Sequence, residues 1–131
     1  MTQRRWEDIF ALELGPGWVG LTTLNSHSGL LLKTPFSTII FDPISIDPAT
    51  FSRIDTIIIT HEHWDHLDIS VITDIQCRTG ALVLTTPFVA QLLHKIPSSK
   101  IKALEPGDSF SHKGIRFNAL TSVHPGHQPL A

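Results

Sequence analysis

Ile57-Ile58-Ile59-Thr60-His61-Glu62-His63-Trp64-Asp65-His66-Leu67 is the stretch whose reading decides the fold. An unbroken apolar run reads as a buried strand, and the polar cluster that follows it at once reads as a metal site. Imidazole nitrogen and carboxylate oxygen bind zinc, iron or manganese at roughly 2.0–2.2 Å, so the composition suits a divalent transition metal rather than calcium or magnesium. If the chain stays extended past Thr60, His61 and His63 project from the same side, because side chains alternate with a period of two, and they can share one ion. Asp65 and His66 are adjacent and cannot both follow that alternation, so a turn into the next helix aims them at a second ion nearby. Glu62 and Trp64 then point away and receive no ligand role. An isolated histidine is usually an ordinary surface or core residue. Four titratable side chains gathered at a strand end are different, since desolvating each without a partner costs on the order of 1–3 kcal/mol.

Composition sets the frame for this site. The chain has 131 residues, 41% hydrophobic and 17% charged, which suits a single globular domain spanning 1–131. A net charge of −2 offers no general attraction for nucleic acid or an anionic membrane, so no nucleic-acid partner is expected. Cys77 is the only cysteine, which excludes an intrachain disulfide, and Met1-Thr2-Gln3-Arg4-Arg5 is not followed by the apolar segment of a signal peptide. Apolar runs fall far short of the roughly 20 residues that cross a bilayer. A cytoplasmic protein with no membrane span is therefore the expectation.

Working outward from the cluster, the pattern divides the chain into elements. Trp6, Ile9, Phe10 and Glu13 have the spacing of a short amphipathic helix ended by Gly15-Pro16-Gly17. Trp18 to Thr23, Gly29 to Lys33 and Thr38 to Phe41 read as successive antiparallel strands, and Ile54 to Thr60 as a strand buried on both faces. After the cluster, Leu67, Val71, Ile72 and Ile75 recur at helical spacing, with Asp68 near the start and Gly80 at the end. Ala81 to Thr85 is a strand, Pro87 opens a helix carrying Phe88, Leu92, Leu93 and Ile96, and Ile101 to Leu104 returns to strand. Ser109 to His112 and Ile115 to Val123 read as a hairpin around Lys113-Gly114. The order β-α-β-α-β places the chain in the α/β (α+β) class.

These residues carry a resemblance. His61-Glu62-His63-Trp64-Asp65-His66 has the His-x-His-x-Asp-His form of the metallo-β-lactamase superfamily, placed after a buried strand and before a helix. Ile39-Ile40-Phe41-Asp42-Pro43 is similar to the strand-to-loop aspartate that precedes this motif and supports the metal site from behind its ligands. Asn25-Ser26-His27-Ser28-Gly29-Leu30-Leu31-Leu32 resembles a turn of the lactonase-like and phospholipase-D-like hydrolases, which makes His27 a candidate near the site. Leu104-Glu105-Pro106-Gly107-Asp108 with Gly114-Ile115-Arg116-Phe117 resembles their later hairpin. That hairpin delivers a third histidine to the first ion, for which His124 is preferred and His127 is the alternative.

The resemblance implies an αββα sandwich of which this chain covers about the first half. It implies two divalent transition-metal ions, zinc before manganese or iron, the first held by His61, His63 and His124 and the second by Asp65 and His66. Asp65 takes the catalytic role of orienting the nucleophile or moving its proton. The expected activity is hydrolysis of a small-molecule lactone, ester or phosphodiester by a metal-bound hydroxide. The family's later bridging aspartate and final histidine have no counterpart before Ala131, so the domain reads as C-terminally incomplete, or as completed by a homo-oligomeric copy or a complementing second half. A metal-binding but inactive half-domain and an interaction module are the competing readings, and a nucleic-acid-processing relative is a more distant one.

Overall fold

The computed structural model describes residues 6–24, 29–63 and 67–121. Strands β1 (Gly20–Thr23), β2 (Leu30–Lys33) and β3 (Thr38–Phe41) form an antiparallel meander. Strands β4 (Thr56–Ile58), β5 (Leu82–Thr85) and β6 (Ile101–Ala103) then add to β3 one after another, all parallel. The result is a six-stranded mixed sheet in the order β1-β2-β3-β4-β5-β6. Helix α1 (Ile69–Thr79) links β4 to β5, and α2 (Pro87–Leu92) links β5 to β6. Parallel neighbours need such crossovers, and their shared right hand puts the helices on one face of the sheet.

The register explains which face is the core. Leu31, Ile40, Ile57 and Val83 stand side by side across β2 to β5, each fully buried. They belong to one cluster with Ile72 and Ile75 of α1 and Val89 of α2. Burying an isoleucine of this kind contributes about 1.5–3 kcal/mol. The opposite row, Leu30, Phe41, Ile58, Leu84 and Lys102, faces away from the helices. Strand β4 is buried on both faces as expected, at Ile57 toward the helices and at Thr56 on the other side, with Ile58 alone only partly buried. No helix covers that side among the described residues; a hairpin crosses it instead.

That hairpin pairs β7 (Ser109–His112) with β8 (Ile115–Asn118). Its turn residues Lys113 and Gly114 both have positive φ, 50° and 79°, the combination a two-residue hairpin with the right twist requires. A Cβ on Gly114 would lie 3.1 Å from Phe36, so the hairpin tip rests on the β2–β3 turn. Near its other end, the Lys102 ammonium of β6 stands 5.7 Å from the Phe110 ring.

Local chemistry sets the helix ends. The Asp68 carboxylate accepts from the Val71 amide at 3.1 Å and starts α1, while Gly80 at φ 70° ends it in the left-handed conformation. Thr86 caps α2 ahead of Pro87. This helix is shorter than its apolar pattern suggests: Leu93 and Ile96 lie beyond it yet stay buried, carried by tight turns that end at Pro97. Other ends differ too. Trp6–Ala11 is a 3₁₀ helix. β1 begins at Gly20, leaving Trp18 and Val19 exposed, and β8 stops at Asn118.

Candidate metal centre

The site grows out of the carboxyl ends of β3 and β4. Beyond Ile58 the chain remains tied to β5, because the Ile59 amide donates to the Leu84 carbonyl at 3.0 Å and the Thr85 hydroxyl donates to the Ile59 carbonyl at 3.1 Å. Thr60, His61 and His63 are thus presented past the ends of the parallel strands, where open α/β sheets characteristically bind ligands.

Asp42 leaves β3 with φ 46°, a left-handed backbone that costs a non-glycine residue about 1–2 kcal/mol. The surroundings hold it there. Its amide donates to the Ile58 carbonyl at 2.8 Å, and its carboxylate accepts from the Thr60 amide at 2.7 Å and the Thr60 hydroxyl at 2.8 Å. Asp42 is 3% exposed, so a buried carboxylate makes this two-oxygen contact to the exposed Thr60. The Thr60 hydroxyl also lies 2.9 Å from His61 Nδ1. An aspartate at the end of one strand therefore reaches the histidine after the next strand through a single hydroxyl.

His61 and His63 come together as their spacing predicts. Their ring centroids are 4.6 Å apart at an interplanar angle of 72°, and Glu62 between them is exposed. The His63 carbonyl accepts the Leu67 amide at 3.0 Å, which anchors the approach to α1 on the strand end. Two adjacent imidazoles, one held from behind through Nδ1, form a donor set suited to a transition metal. Asp65, His66, His124, His127 and His27 lie outside the described residues. Among the described residues, no group of three or more His, Cys, Asp or Glu side chains converges on a metal position.

Beside His61 opens a cleft of about 890 Å³. Its lining includes Phe41, Ile58 and Leu84 from the face opposite the helices, together with Arg116 and Phe117 of β8. Sequence reasoning missed these residues. In the chain, Phe41, Ile58 and Leu84 look like ordinary core positions, and only the pairing register shows that they share the row facing away from the helices. Thr60 was missed as well, since a β-branched residue after an apolar run reads simply as the end of a strand.

A mixed sheet with helices on one face and paired histidines beyond its parallel strands defines a metallo-β-lactamase-like α/β fold. The chain belongs to the beta-lactamase superfamily domain family, whose model matches residues 24–129. A UPF0173 protein of Pyrococcus abyssi is 27% identical over 103 residues, covering 78% of this chain and 48% of that protein. The chain thus spans about half the length of this curated relative. Among solved structures, a protein of Parabacteroides distasonis assigned as a metal-dependent hydrolase is 33% identical with a TM-score of 0.52, over 64% of this chain and 36% of that one. A subclass B3 metallo-β-lactamase from a soil metagenome library shares the fold at 18% identity and a TM-score of 0.52, over 71% of this chain and 45% of its own.

Proposed function

We propose that this chain carries the metal-binding part of a hydrolase acting on a small-molecule lactone, ester or phosphodiester. The observation that carries the reading is the Asp42–Thr60–His61 hydrogen-bond chain, which holds one imidazole beside a second at the mouth of a largely apolar cleft. Membership of the beta-lactamase superfamily domain family and the likeness to the Parabacteroides protein support it.

In this reading His61 and His63 hold the first of two divalent ions, zinc before manganese or iron, with His124 as third ligand. Asp65 and His66 hold the second. When bound, the ions supply Lewis acidity at the scissile carbonyl or phosphoryl group and bring a water nucleophile into reach of neutral pH. The chain's own residues do the rest. Thr60 and Asp42 orient His61, Asp65 orients the nucleophile or moves its proton, and Phe41, Ile58 and Leu84 exclude water around an apolar part of the substrate. Arg116, exposed at the other wall, offers a guanidinium to an anionic group.

The remaining ligands come, in this reading, from a second half or a second copy, because the chain spans only 48% of its curated relative. A net charge of −2 favours small-molecule over nucleic-acid substrates. We place the protein in the cytoplasm on its single cysteine; no helix among the described residues is long and apolar enough to cross a membrane.

The test is turnover of a panel of lactones, aryl esters and phosphodiesters by the full-length protein, with and without chelator. Activity that disappears with chelator and returns with zinc or manganese is expected. Chelator-insensitive hydrolysis, or metal-replete protein inert on all three classes, contradicts the reading.

A further inference from the structure

We infer that Thr60 is a positioning residue that sets the tautomer of His61, fixing the proton on Nδ1 and leaving the lone pair on Nε2 for a metal. A threonine hydroxyl has one hydrogen. The Asp42 carboxylate, 2.8 Å away, can only accept, so that hydrogen is directed at Asp42 Oδ2. Toward His61 Nδ1, at 2.9 Å, the same oxygen can then act only as an acceptor. The ring nitrogen facing it must carry the hydrogen, and in a neutral imidazole the other nitrogen becomes the base.

The framework that imposes this is hydrogen-bonded throughout. Asp42 is buried and pinned through its own amide to Ile58, its second oxygen takes the Thr60 amide, and Ile59 is tied to Leu84 and Thr85. With the two heavy-atom distances held, the charged carboxylate oxygen is the stronger acceptor and draws the Thr60 hydrogen away from His61. Replacing Thr60 by valine keeps the β-branched shape and the backbone contact to Asp42 but removes the hydroxyl oxygen that stands between the carboxylate and the ring. His61 is then free to adopt the Nε2–H form, which cannot ligate through Nε2. The functional meaning of the tautomer rests on the hydrolase reading; the tautomer itself does not.

Long-range proton–nitrogen NMR of histidine-labelled, metal-free, full-length protein at about pH 8, where imidazole is neutral, reads it directly. Wild type and Thr60→Ser are expected to show the Nδ1–H pattern at His61, and Thr60→Val a shift toward Nε2–H. Zinc affinity by competition with a chromophoric chelator is expected to fall about tenfold or more in Thr60→Val and to stay within about twofold of wild type in Thr60→Ser, in line with the usual effect of removing a ligand's hydrogen-bond partner. A Nε2–H signal at His61 in wild type overturns the inference without any variant. So does an unchanged tautomer in Thr60→Val. Protein that shows the Nδ1–H pattern yet binds no zinc supports the tautomer assignment and contradicts the hydrolase reading, so the two failures are distinguishable.

Discussion

Asp42 accepts both the backbone amide and the hydroxyl of Thr60, at 2.7 and 2.8 Å, across the ends of two parallel strands. This one carboxylate ties the exit of β3 to the exit of β4 and so fixes where the chain delivers His61. The contact is structural, and its strength is measurable without a substrate.

Substituting Asp42 separates two contributions. Asp42→Gly removes the carboxylate but tolerates φ 46°; Asp42→Ala removes it and strains the backbone as well. Because Thr60 is exposed and water partly replaces the lost contact, Asp42→Gly is expected to cost about 1–3 kcal/mol, with Asp42→Ala about 1 kcal/mol worse. Urea denaturation of both variants checks this, and equal stabilities would show that the left-handed backbone is unstrained.

The ends of α1 make a second prediction. Asp68→Ala removes the cap on the Val71 amide and is expected to cost about 1 kcal/mol. Gly80→Ala meets no neighbouring atom, so its cost of about 1 kcal/mol comes from φ 70° alone. The two sites lie at opposite ends of an eleven-residue helix, so the double variant is expected to lose the sum within about 0.5 kcal/mol in thermal or urea unfolding.

In the core, Ile75→Ala opens a cavity under α1 where the wild-type side chain is fully buried, and a loss of about 2–5 kcal/mol is expected. The equivalent change at Ile58, partly buried on the cleft side, is expected to cost less than half as much, because water can enter. Equal losses at the two positions would mean that the cleft face is as well packed as the helical face.

Which parts of the molecule were legible in sequence follows from which interactions are local. β3 and both ends of α1 stand where the residues indicated, because Thr38 to Phe41 is an unbroken β-branched and apolar run and because Asp68 and Gly80 act on their own helix. The pairing of His61 with His63 was legible for the same reason, as a period of two in an extended chain. The start of β1 and the end of α2 were not, since Trp18 and Val19 have strand-forming side chains but no partner strand reaches them in the paired register, and Leu93 and Ile96 are apolar at helical spacing yet held by turns. Thr60 and the cleft were out of reach of any local pattern. The partner of the Thr60 hydroxyl is Asp42, and only the parallel pairing of β3 with β4 puts them side by side.

The proposed activity requires His61 and His63 to share a metal ion. Its most direct test is the metal content of the full-length protein purified after metal-replete expression, measured by mass spectrometry beside His61→Ala and His63→Ala. Bound zinc, manganese or iron is expected in the wild type, with a drop of at least tenfold in apparent affinity in each variant. A wild type without transition metal, or variants that hold as much as the wild type, would contradict it.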